Sequence, residues 1–186
     1  WLVMNFQFDA RKATQVAAAF VTREGGELNV MKLVKLIYLL DRLSLIRRGV
    51  PVLGGDYFSM KNGPVTSEAL DLVNAGMLDG FDTDWAKFIS DRADHKVGLR
   101  ADPGTDRLSE SELEMMAEVF TEHGQKTPFE LVEWCHRNCP EWRPLTQGRH
   151  EIRVEDILET AGKGREHIER VAAEAIGLRQ LNALLG

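Results

Sequence analysis

Lys32–Val65 reads KLVKLIYLLDRLSLIRRGVPVLGGDYFSMKNGPV, and its reading decides the fold. The first half is a helix pattern that is apolar nearly all round, with Leu33, Leu36, Ile37, Leu40, Leu43 and Leu45 covering most of the circumference. Such a helix belongs at the centre of its domain. Asn29 suits the N-cap, Arg47 and Arg48 suit the negative end of the helix dipole, and Gly49 stops the helix. Lys35, Tyr38 and Arg42 are spaced to share one face. On so apolar a rod this polar stripe must meet solvent, another polar group or a partner, and an exposed contact face is expected. Asp41 lies off the stripe and needs an internal partner, with His136 the expected basic group. Pro51 and Gly54-Gly55 break the helix, Tyr57–Met60 alternates as a short strand, and Asn62-Gly63 signals a tight turn. Pro64 is expected at the first position of the next helix. That helix turns Ala69, Leu70 and Val73 inward and stops at Gly76.

On the N-terminal side, Asp9 caps a helix carrying Ala13, Val16, Ala17, Phe20 and Val21 at helical spacing, closed by Gly25-Gly26. On the C-terminal side, residues 79–106 have weak periodicity. A mobile loop with one or two short strands is expected there, Val97 and Leu99 facing inward. Ser109 and Glu112 form a capping box ahead of the next helix. Thr127, Pro128 and Glu130 repeat that logic for a helix running to about Asn138. Two more helical pieces follow, over 154–161 and 165–185. Taken together, the chain reads as mainly α: a single-domain helical bundle around a central buried helix, with a small antiparallel β element. Residues 1–8 read as an N-terminal extension, residues 1–3 as an expression remnant, and 9–186 as the domain.

The 186 residues carry a net charge of −6. That balance argues against direct nucleic-acid binding, which draws on clustered Lys and Arg. It favours a partner with a basic surface. No apolar run is long enough for a membrane span, and two cysteines make no disulfide framework, so a cytoplasmic protein is expected. Cys135, His136 and Cys139 raise a zinc reading, but the second close ligand pair is missing and His123 and His150 are single. A Cys–His hydrolase needs a lowered thiol pKa, whereas both cysteines sit late in a helix where the dipole raises it. Gly54-Gly55 and Gly162-Lys163-Gly164 lack phosphate-loop spacing. No cofactor, no metal and no enzyme activity are expected.

The ordered motifs resemble the Panacea-domain family of SocA-like antitoxins. Lys35, Leu36, Tyr38 and Asp41 in Met31–Asp41 (MKLVKLIYLLD) match that family's K-L-[LI]-Y-L-x-D helix. Gly55-Asp56-Tyr57 and Gly63-Pro64-Val65 match the next two elements, and His136, Pro140 and Trp142 follow the helix opened at Thr127-Pro128. Ile152 and Glu155–Leu158 complete the pattern; residues 79–106 are outside it. The resemblance implies neutralisation of a cognate toxin by direct protein–protein binding. One branch of the family instead delivers its toxin to an ATP-dependent protease. Many relatives carry a further DNA-binding domain, for which this chain has no expected counterpart. For such a partner the polar helix face and the loop offer the candidate toxin contacts, Lys35, Tyr38, Arg42, Lys61, Asn62 and Val65. The resemblance marks Asp41, Gly55, Asp56, Tyr57, Gly63, Pro64, His136 and Trp142 as structural positions.

Overall fold

Helix α2 (Val30–Arg48) is the axis of the molecule in the computed structural model, which describes residues 4–186, Phe81 by its backbone alone. The expectation for residues 1–3 lies outside that range. Leu33, Leu36, Ile37, Tyr38, Leu40 and Leu45 are all fully buried on it. Its ends follow the sequence signals: Asn29 accepts from the Met31 and Lys32 N–H groups, and Gly49 closes the helix in the left-handed conformation. Around α2 stand α1 (Ala10–Glu24), α3 (Ser67–Ala75), α5 (Glu110–His123), α6 (Pro128–Asn138) and α7 (Val154–Thr160), each in contact with it. Phe20 on α1 stacks on Phe120 of α5 with ring centroids 6.2 Å apart. Both capping boxes form, Ser109 with Glu112 and Thr127 with Glu130. The protein is thus mainly α, with small antiparallel sheets set against the helices.

Three such sheets are present among the described residues. β2 (Tyr57–Met60) sits between β3 (Gly63–Thr66) and β7 (His150–Ile152), with Ser59 opposite both Pro64 and His150. Pro64 is therefore in a strand, not at the start of a helix. β3 is an edge of that sheet, where a residue without an N–H is tolerated, and α3 begins only after Thr66. The region 79–106, expected as a mobile loop, is built from short pieces. β4 (Met77–Leu78) pairs with β5 (Phe81–Asp82), α4 (Trp85–Phe88) buries Trp85, and β6 (Lys96–Gly98) pairs with β1 (Glu27–Asn29). Val97 faces inward as expected, but Leu99 is 37% exposed. The strand ends at Gly98, so the alternation that carries Val97 inward does not extend to Leu99.

Residues 4–8 lie along the body: Phe6 O accepts from Gly55 N, and Met4 is buried. At the other end, α8 (Arg165–Leu185) docks through Val171, Ala172 and Ala175, then runs on with Leu178, Leu181, Leu184 and Leu185 exposed. No helix among the described residues is long and apolar enough to cross a membrane.

Candidate functional site

The polar stripe on α2 is internal. Tyr38 is 0% exposed and Lys35 2%, which corrects the expectation of a solvent-facing stripe. The acceptors that make this possible come from distant segments. Tyr38 Oη donates to Glu141 Oε1 at 2.7 Å, and Arg42 Nε donates to the same oxygen at 2.7 Å. Thr160 Oγ1 lies 3.3 Å from the other oxygen, Oε2, and is closer to its helix acceptor Asp156 O at 2.9 Å. Glu141 is itself buried, so a carboxylate in the interior is met by a guanidinium and the Tyr38 hydroxyl, with the Thr160 hydroxyl alongside, as burial of charge requires.

Asp41 is also resolved differently from expectation. His136 is not its partner. Its Oδ1 accepts from the N–H groups of Val52 and Leu53, and its Oδ2 from Gly54 N–H and Tyr57 Oη, all within 2.8–3.0 Å. The carboxylate organises the whole turn from α2 into β2. Burial dominates even these four donors and lifts its pKa to about 6. Gly55 then follows at φ +94°, where a Cβ would also run into the Glu68 carboxylate. Glu68 accepts from Asp56 N–H, and Asp56 O accepts from Ser67 N–H, tying the strand to the start of α3.

Other motif residues hold the hairpin turn. Lys35 Nζ donates to Pro64 O at 2.9 Å. Trp142 Nε1 donates to Met60 O at 2.8 Å, and the His136 ring stacks on Trp142 with centroids 3.8 Å apart. Gly63 has φ +100°, and a Cβ there would sit 3.1 Å from Lys35 Cε. The turn Lys61–Val65 is thus braced from α2 on one side and α6 with its following segment on the other. Lys61 and Asn62 project from it into solvent, while Val65 is buried.

Beside this braced turn lies a groove of about 250 Å³ between α2, the hairpin and α3. Its surface is mainly apolar, from Val30, Val34, Val65, Leu70 and Val73 among others. Its polar groups are Lys35, Lys61, Asn62, Asn74 and Arg92, and no carboxylate among the described residues lines it. Four of the six candidate contact residues, Lys35, Lys61, Asn62 and Val65, meet here; Tyr38 and Arg42 do not. Arg92 is the contribution that sequence reading missed, because it comes from the weakly patterned 79–106 region. It is positioned by donating to Asn74 Oδ1 at 2.6 Å and by contact with His95 Nδ1 at 3.1 Å.

Among the described residues Lys35 has no carboxylate partner. Desolvation lowers its pKa from 10.5 to about 8, opposed by the nearby thiols of Cys135 and Cys139. The sign follows directly. Between pH 8 and 10.5 the unfolded chain holds a proton that the folded chain has lost, so stability rises with pH there. Wild-type protein should therefore gain up to about 3 kcal/mol relative to Lys35→Met between pH 7.5 and 10.5 in denaturant titrations. A flat difference across that range would show that the ammonium is not desolvated.

The same lysine revises the thiol electrostatics. Cys135 is lowered, not raised, first by the Cys139 thiol against it and then by the Lys35 cation, both acting against burial; Cys139 is raised. Among the described residues no three His, Cys, Asp or Glu side chains gather as a metal-binding set.

Comparison with known proteins gives one family. Its model, described as antitoxin SocA-like, Panacea domain, matches residues 33–143. No curated protein and no solved structure matches the chain. The matched span holds Lys35, Asp41, the hairpin, Arg92, His136, Glu141 and Trp142, which is to say both buried carboxylates and most of the groove. Since the match takes in more than half of the chain, the protein belongs to the SocA-like antitoxin family with a Panacea domain.

Proposed function

We propose that this protein is a cytoplasmic antitoxin that neutralises a cognate toxin by direct protein–protein contact, acting by binding and not by catalysis. The observation that carries this reading is the division of labour within the family-matched region. Lys35 and Trp142 brace the hairpin, Asp41 holds the turn that leads into it, and the braced hairpin borders an apolar groove. A rigid apolar surface with a few polar groups is what specific recognition uses. A stable complex would bury about 800 Å² on this side, so the groove would be the centre of a larger footprint.

The test is co-expression with the product of the adjacent reading frame. Growth inhibition by that product should be relieved and the two proteins should co-purify at a fixed ratio. Failure of both would overturn the reading. A second reading, delivery of the toxin to an ATP-dependent protease, requires a second surface. The observation in its favour is the exposed leucine face of α8, which meets α2 at its Gly49 end, away from the groove near Val30. Toxin half-life separates the two: delivery shortens it when this protein is present, and masking leaves it unchanged or longer.

A further inference from the structure

We infer that the groove between α2, the hairpin turn and α3 receives an acidic–apolar segment of the toxin, with large apolar side chains on the groove floor and at least one carboxylate between Lys61 and Arg92, within the field of the buried Lys35 ammonium. This rests on the antitoxin reading and specifies the chemistry of the partner at that site.

The argument is one of charge and burial. Lys35 is 2% exposed, and among the described residues its ammonium donates to a single acceptor, Pro64 O. A buried ammonium has three donors and is stabilised chiefly by anionic partners. No carboxylate forms an ion pair with it among the described residues, although elsewhere in the interior Arg42 and Lys32 each have one. Lys61 and Arg92 stand exposed on the rim, likewise without a carboxylate partner among the described residues. Three cations and no acid thus line one groove on a chain whose net charge is −6.

That local sign reverses what overall charge suggests. Beyond about 8 Å, charges are screened at physiological salt, so the overall acidity bears on encounter while the groove's own cations govern contact. The floor discriminates among anions. Val30, Val34, Val65, Leu70 and Val73 offer nothing to a hydrated phosphate backbone, but they suit aliphatic or aromatic side chains flanking an acidic residue. The volume of about 250 Å³ is right for one or two such side chains and small for a whole helix. The bracing of the turn by Lys35 and Trp142 adds preorganisation, which reduces the ordering cost of binding.

The experiment measures the affinity of the adjacent reading frame's product for wild type, Lys61→Glu/Arg92→Glu and Lys35→Met, with melting temperatures alongside. Lys61 and Arg92 are exposed, so the double reversal should melt like wild type and bind at least ~30-fold more weakly, with a smaller salt dependence. Lys35→Met should weaken binding by about tenfold while retaining the fold. Hydrogen exchange in the wild-type complex should show protection at 60–65 and 70–74, and an Asp or Glu to Lys change in the protected toxin segment should restore binding to the double reversal. Wild-type affinity in the double reversal, protection confined to other surfaces, or competition for the groove by an oligonucleotide would each overturn the inference while leaving the antitoxin reading in place. No binding by wild type would instead remove the antitoxin reading, and this inference with it.

Discussion

Asp41→Ala should be among the most destabilising single changes in the chain, by about 4 kcal/mol or more. The substitution strands three backbone N–H groups, from Val52, Leu53 and Gly54, together with the Tyr57 hydroxyl. Each buried donor left without an acceptor costs about 1–3 kcal/mol, and relaxation of the turn recovers part of the sum. Asp41→Asn should cost roughly half as much: one carbonyl still accepts, the Tyr57 hydroxyl can turn to accept from the new amide, and the conflict with Gly54 N–H remains. Tyr57→Phe removes one donor only and should cost about 1 kcal/mol. The pH dependence has a definite sign. The folded value of about 6 lies above the unfolded one, so a proton is taken up on folding between the two values. Stability from this group is present at low pH and lost as pH rises through 6, and wild type should gain on Asp41→Asn as pH falls from 7 to 5. Equilibrium urea unfolding of the three variants at both pH values checks all of this. An Asp41→Ala variant within about 1 kcal/mol of wild type would mean that the turn satisfies its donors without the carboxylate.

The axial helix and the caps could be read from local sequence because their causes are local. A rod apolar on every side has to be central, and a Ser or Thr three residues ahead of a Glu closes its own hydrogen bonds. What sequence could not show is where long polar side chains end. Lys35, Tyr38 and Arg42 share a face by spacing alone, but whether that face meets water depends on acceptors elsewhere. Pro64 supplies one 29 residues on, and Glu141 supplies another 103 residues from Tyr38. Glu141 gave little signal, lying between Pro140 and Trp142 outside any periodic element. Pro64 misled for a similar reason: its local preference for a helix start was overridden by pairing with Ser59 across the hairpin. Residues 79–106 were opaque because two- and three-residue strands carry almost no pattern, and β6 is fixed by a partner strand some 70 residues earlier in the chain. The walls of the groove were therefore legible as the axial helix, the motif-bearing turn and the helix carrying Leu70 and Val73. Their convergence on one groove, and the arrival of Arg92 there, came only with the tertiary structure.

Removing the acid from the second internal network should have the next largest effect after that of Asp41, for a different reason. Glu141→Ala leaves the Arg42 guanidinium inside the protein with no carboxylate and takes the acceptor from the Tyr38 hydroxyl. Breaking a buried ion pair from one side costs about 3–5 kcal/mol, most of it from the charge left behind. Arg42 is only partly buried, its side chain 17% exposed, so it can swing toward water, and the lower part of that range applies. Glu141→Gln keeps one acceptor for Tyr38 and loses the charge. It should fall between wild type and alanine, at about 2 kcal/mol. The double variant Glu141→Gln/Arg42→Met tests the explanation itself. If the cost comes from an uncompensated cation, removing the cation as well should restore stability, so the double variant should be more stable than Glu141→Gln alone. Strict additivity of the two single losses would show that the residues contribute through packing and not through each other. Thr160 and Tyr38 bring α7 and α2 onto the same carboxylate, so the loss should loosen the helix bundle as a whole, while the Asp41 variants should first free the turn into β2. Native-state hydrogen exchange distinguishes these: protection should drop across α2 and α7 for Glu141→Ala, and first at residues 52–57 for Asp41→Asn.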